Sequence, residues 1–149
     1  MQFPNKNPMN LLVSNGVNNQ NQKQTFNAPP QPSLPVLQKT KLAYLLWYQY
    51  YQIIPKLHRF SLGEKVDKLF VEVIDGIVTA NFLTQKDKIP FVRVAIRRLD
   101  VLKIFLMILW ETKSLDNKKY INLSEKLNEI GRNLGGWHGK LTKENSPKK

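Results

Sequence analysis

Four stretches of this chain place apolar residues at the three- and four-residue intervals of a helix. The first, Leu34 to Leu57, sets Leu37, Tyr44, Trp47, Tyr48 and Tyr51 on one side, and Leu42, Leu45, Leu46, Ile53 and Ile54 widen the apolar arc. Pro55 disfavours helical backbone at Ile54, so this helix is expected to end or kink there. The second stretch opens with Ser61 and Glu64 in the spacing of a capping box. Its predicted buried face is Val66, Leu69, Phe70, Val73, Ile74 and Ile77, and its polar stripe is Lys65, Lys68, Glu72, Asp75 and Thr79. Gly76 costs about 1 kcal/mol relative to Ala in mid-helix, which is tolerable where another helix crosses closely.

The third stretch, Lys88 to Lys113, organises the others. Pro90 suits the first turn of a helix, and no Gly or Pro interrupts the next 23 residues. Such a helix spans roughly 36 Å. Its first half carries Arg93, Arg97 and Arg98 among Phe91, Val92, Val94, Ile96 and Leu99, whereas Ile104 to Trp110 is apolar on every side. A helix of that kind must be covered all round, by its own bundle, by another copy, or by both. The fourth helix is expected from about Lys119 to Leu134, with Tyr120, Leu123, Leu127, Ile130 and Leu134 as its seam and Gly135 and Gly136 as its stop. Four helices joined by short loops predict an all-α fold, an up-down-up-down four-helix bundle.

Residues 1–33 lack any such period. They hold eight Asn, five Gln and five Pro but only two charged residues, Lys6 and Lys23, so they cannot bury enough surface to offset their ordering entropy. A disordered tail is expected, with a short docking peptide around Met9, Leu11, Leu12 and Val13 as the alternative. The expected organisation is therefore a tail over 1–33, a bundle over 34–141 and a basic tail over 142–149 that includes Lys143, Lys148 and Lys149.

Charge changes the picture most. The chain has 149 residues, 42% of them hydrophobic, and 23 Lys and Arg against 11 Asp and Glu give a formal charge of +12. That imbalance favours polyanions, nucleic acid ahead of an anionic membrane surface. The apolar run Val101 to Trp110 is ten residues long with Lys103 inside it, short of the ~20 that a bilayer span needs. The N-terminus lacks the pattern of a secretory signal, and the expected location is the cytoplasm. Cysteine is absent, which excludes disulfides and thiolate chemistry.

A catalytic set is not legible. His58 and His138 have no carboxylate or second His at helical spacing, there is no Gly-rich phosphate loop, and no Ser stands in a nucleophile-elbow context. Asp67, Glu72 and Asp75 read as a solvated stripe rather than an acid pair. No enzyme activity, cofactor or metal is expected. The aromatic stripe of the first helix reads as core rather than as a platform for bases.

Arg93 and Arg97 are four residues apart, Arg98 is adjacent, and Asp100 and Lys103 are expected to continue one polar strip. The planar, permanently charged guanidinium suits phosphate. Pairing with Glu72, Asp75 or Glu129 of a neighbouring helix or subunit is the equal alternative. Arg59, Lys65, Lys68, Lys118, Lys119, Arg132 and Lys140 add positive charge around the strip. With no zinc-finger, RNP or helix-turn-helix pattern, any binding is expected to be to phosphates and salt-dependent.

Two motifs occur together on this four-helix pattern: PKLHRFSLGEKV from Pro55 to Val66, and EIGRNLGGWHGK from Glu129 to Lys140. In this order and spacing they resemble the four-helix-bundle proteins of the ribosomal-RNA intervening-sequence family. Within it the chain looks most like the Avd group, the accessory variability determinants of diversity-generating retroelements. The resemblance covers about Leu34 to Lys140. It implies a pentameric barrel of four-helix protomers with a positive surface, without catalysis of its own. It also implies binding to the element's reverse transcriptase and to RNA or DNA during mutagenic copying of template RNA into cDNA. Arg93, Arg97 and Arg98 match the basic stretch of that family and are the binding candidates it implies. The alternative is a structural protein of the intervening-sequence type with loose RNA contact.

Overall fold

A computed structural model describes residues 34–147 of the chain. Four long helices stand among them: α1 (Pro35–Tyr51), α2 (Glu64–Phe82), α3 (Gln85–Glu111) and α4 (Asn117–Glu144), and no strand is present among the described residues. The contacts run α1 to α2, α2 to α3, α3 to α4 and α4 back to α1, with α2 against α3 the most extensive. This is the four-helix bundle that the periodicity predicts. The expectations for 1–33, including the peptide around Met9, and for Lys148 and Lys149 fall outside the described residues.

Each helix feeds one face into a shared core. α1 supplies Val36, Ala43 and Trp47, α2 supplies Val66, Leu69, Phe70, Val73 and Ile77, α3 supplies Ala95, Leu99, Leu102, Leu106 and Leu109, and α4 supplies Leu123, Leu127, Ile130 and Leu134. Trp47 is fully buried. Its ring lies 6.2 Å from Phe70 and 5.5 Å from Tyr51, and Nε1 donates to Asp67 Oδ1 at 3.2 Å, so the indole packs without leaving its N–H orphaned. Tyr44 meets Phe70 edge-on at 5.8 Å. Burial, helped by the nearby Asp67 carboxylate, pushes the Tyr44 hydroxyl pKa above its usual value. The aromatic stripe is core, with Tyr48 the exception: it is exposed beside Leu42 and Leu45.

The predicted close crossing at Gly76 is present. A Cβ there would stand 3.2 Å from both the Ala95 Cβ and the Phe91 carbonyl oxygen, so α2 and α3 meet almost backbone to backbone.

The first helix ends short of Pro55 as expected, and three local expectations are corrected. α1 ends at Tyr51, before Pro55; Ile54 is buried, and Arg59 donates from Nε to the Ile54 carbonyl at 3.0 Å and from a terminal nitrogen to the Gln52 carbonyl at 3.1 Å. Carbonyls just past a helix end lack helical partners, and this guanidinium supplies them. The Ser61 capping box does not form. A helical turn at Lys56–His58 and a π-helical run at Arg59–Gly63 lead straight into α2, so the Glu64 N–H already bonds the Arg59 and Ser61 carbonyls and needs no cap. Pro90 lies inside α3 rather than in its first turn, because the helix starts at Gln85.

The third correction is α4, which passes through Gly135, Gly136 and Gly139 without a positive φ and ends at Glu144. Trp137 and Leu141 continue the apolar seam and pack with Ala80, Ile89, Val92 and Ile96. That burial outweighs about 1 kcal/mol of helix propensity lost at each glycine.

Candidate nucleic-acid interface

α3 turns its core residues Ala95, Leu99 and Leu102 inward and carries Arg93 and Arg97, one turn apart, on its outer side. Neither arginine makes an ion pair among the described residues. Around them stand the exposed carboxylate of Asp100, three residues on from Arg97, and apolar side chains: Val94, Val101 and Ile104 are 42%, 39% and 52% exposed. Within Ile104 to Trp110, Leu106 and Leu109 are buried, Ile104 is exposed and the other four side chains are half-buried.

The single strip expected from Arg93 to Lys103 does not exist. At 3.6 residues per turn, Arg98 and Lys103 point about 140° apart. Arg98 leans toward α2, where its Nε lies 3.2 Å from Glu72 Oε2. That oxygen is buried and accepts no hydrogen bond, so the contact is an ion pair with a misaligned N–H. Lys103 leans toward α4, with Nζ 3.1 Å from where a Gly131 Cβ would stand. The absence of a side chain at Gly131 gives the lysine its room. Pairing with a neighbouring helix therefore holds for Arg98 with Glu72, and Arg93 and Arg97 make no ion pair among the described residues.

The remaining cations form separate groups. Lys65 sits 5.9 Å above the Phe105 ring and Lys68 is exposed on the same helix, so both border the α2–α3 seam with Arg98. Arg59 is committed to the end of α1. Arg132 is exposed on α4 and lines, with Leu46, Lys126 and Glu129, a cleft of about 650 Å³ between α1 and α4. Glu129 accepts from Lys39 at 2.7 Å, and that contact holds its carboxyl below the usual range. Lys140 lies 4.0 Å from Glu144. Lys39 and Lys126 were not singled out in the sequence; a cation facing an acid across two helices leaves no mark in either helix's own period.

His58 Nδ1 shares a 2.6 Å hydrogen bond with Ser114 Oγ, which ties the α1–α2 connection to the α3–α4 turn. Among the described residues no group of His, Asp or Glu is placed to hold a metal. No helix there is long and apolar enough to cross a membrane.

None of the curated proteins compared matches the chain. Among solved structures, the fold is similar to that of a protein of unknown function from the S23 ribosomal protein family of Bacteroides thetaiotaomicron, with a TM-score of 0.64 and 15% identity over 69% of this chain and 97% of that one. At that identity the likeness concerns the fold alone. The sequence pattern of the bAvd-like family matches residues 36–141, which takes in the whole of α1, α2 and α3 but for Pro35, and α4 as far as Leu141. The match takes in about 71% of the 149 residues and some part of all four helices, and the chain belongs to the bAvd-like family.

Proposed function

We propose that this protein is a non-catalytic accessory subunit of a diversity-generating retroelement. It acts in the cytoplasm as a basic homo-oligomer, a pentamer by family resemblance, which binds the element's reverse transcriptase and its template RNA or cDNA and supports mutagenic reverse transcription. The observation that carries this reading is the outer face of α3, where two arginines with no ion pair among the described residues stand with the exposed Asp100 among half-exposed apolar side chains, in a chain of charge +12. Unpaired guanidinium groups suit phosphate, and the apolar residues between them suit a protein surface. Lys65, Lys68, Arg98, Lys103, Arg132 and Lys140 add field, whereas Arg59 serves the fold.

Co-expression with the neighbouring polymerase should give a complex that co-purifies with RNA. Reversing charge with Arg93→Glu and Arg97→Glu should release polymerase, RNA or both while the helix content stays as in wild type. If neither polymerase nor RNA is retained at low salt, the reading is wrong. A structural protein of the intervening-sequence type with loose RNA contact is the second reading, favoured by the internal commitments of Arg59, Arg98 and Lys103. A gene inside a ribosomal RNA locus with no reverse transcriptase nearby would support it.

A further inference from the structure

Where α3 meets α4, Trp110 and Tyr120 stack at 4.8 Å between ring centroids and 10° between planes. Trp110 Nε1 donates to Asn117 Oδ1 at 2.6 Å. The indole is thus held by a ring on one face and a hydrogen bond at its edge. A cleft of about 290 Å³ is bounded by Trp110, Lys113, Leu115, Asp116 and Asn117, and Tyr120 is not among its walls. Tyr120 takes one face of the indole and Asn117 its Nε1 edge, and Trp110 is also a wall of the cleft.

We propose that this cleft is a stacking site for one nucleobase of a single-stranded nucleic acid. The inference rests on the nucleic-acid reading above and adds to it a contact with a base rather than a phosphate. A fixed indole offers a π-face to any base. The Asn117 oxygen is taken by Trp110, which leaves its two amide N–H donors for the edge of the base. Asp116 stands beside it with its carboxylate already held by Lys119. Lys113 and the exposed Lys118 supply cations for the flanking phosphates. The cleft is at the small end of the ~300–1,000 Å³ range of ligand sites, which suits a base and not a larger group.

Lys113 provides a second line of support. It adopts φ 64°, the left-handed region, where a residue with a side chain is strained and glycine is not. The residue that takes this conformation, at a position where a helix end would ordinarily take glycine, is a cation that lines the cleft.

The test uses the full chain and two labelled RNA strands of equal length and charge, one with bases and one abasic, titrated at low salt. The wild type should bind the base-bearing strand about tenfold more tightly, the scale of one stacked base. Trp110→Leu should bind both strands alike, and Asn117→Ala should narrow the gap. Lys113→Gly relieves the strained backbone, so it should melt at or above the wild-type temperature while binding the base-bearing strand several-fold more weakly. Equal wild-type affinity for the two strands would overturn the stacking site and leave nucleic-acid binding standing. So would a preference that survives in Trp110→Leu, or a Lys113→Gly variant with unchanged affinity. Failure of the wild type to bind either strand would remove the nucleic-acid reading, and the stacking site with it.

Discussion

A methyl group added at Gly76 meets packed backbone, whereas one added at Gly135 meets nothing within 4 Å. Both positions are helical, so alanine gains about 1 kcal/mol of propensity at each. At Gly76 the methyl would press on the Phe91 carbonyl oxygen and the Ala95 Cβ at 3.2 Å, and neither can move unless the helices part. Overpacking of that kind costs ~1–3 kcal/mol. Gly76→Ala should therefore lower the melting temperature and Gly135→Ala raise it by a few degrees, read by thermal denaturation of the two variants side by side. A Gly76→Ala protein as stable as the wild type would mean that the crossing gives way more easily than its distances imply. The need for Gly76 was legible in the sequence because a mid-helix glycine has few other uses. The tolerance at Gly135 was not, because only the packing of Trp137 and Leu141 shows that the helix goes on.

α4 starts at a charged cap. Asp116 Oδ1 accepts from the Lys119 N–H at 2.8 Å, and Oδ2 from Lys119 Nζ. The side-chain contact first, and the backbone N–H after it, hold the Asp116 carboxyl below its ordinary 3.8. A carboxyl that is more acidic folded than unfolded stabilises fully above the unfolded value, and the benefit disappears as pH falls through the folded one. The start of α4 should therefore loosen below about pH 4. Asp116→Asn keeps a good cap without the charge, so its helix signal by circular dichroism should change less between pH 6 and pH 3, taken as about the ends of the carboxylate range. The Glu129–Lys39 pair titrates in the same direction and joins α4 to α1. An equal acid response in both proteins would place the lability elsewhere.

The outer side of α3 matters at the scale of the whole molecule. Half-exposed Val101 and Ile104 lie toward the helix half that is apolar all round, and a single bundle leaves them in contact with water. Light scattering should give a mass that is a multiple of the 17.4 kDa chain. Val101→Asp with Ile104→Asp should bring the mass down toward one chain without loss of helix content, since neither side chain is in the core. A wild-type monomer at micromolar concentration would contradict the oligomer. RNA binding by so basic a surface should weaken with salt, with a log–log slope near −0.7 for each phosphate neutralised on a single strand. Arg93→Glu with Arg97→Glu should flatten that slope.

The sequence by itself determined the fold class and most of the core. Leu123, Leu127, Ile130 and Leu134 are buried as their spacing predicts, and so are Val66, Leu69, Phe70, Val73 and Ile77, because a seam at three- and four-residue intervals has one way to be covered in a bundle. Helix ends were less legible. The end of α4 depends on what lies across from Trp137, and the start of α2 on a π-helical run that no cap residue announces. The candidate surface was decided by tertiary structure alone. Arg93, Arg97, Arg98 and Lys103 look alike along the chain, yet Glu72 on α2 takes Arg98 and the gap at Gly131 on α4 takes Lys103, while Arg93 and Arg97 make no ion pair among the described residues. The pairing of a charge is a property of the helix packed beside it, and the period of its own helix does not record that neighbour.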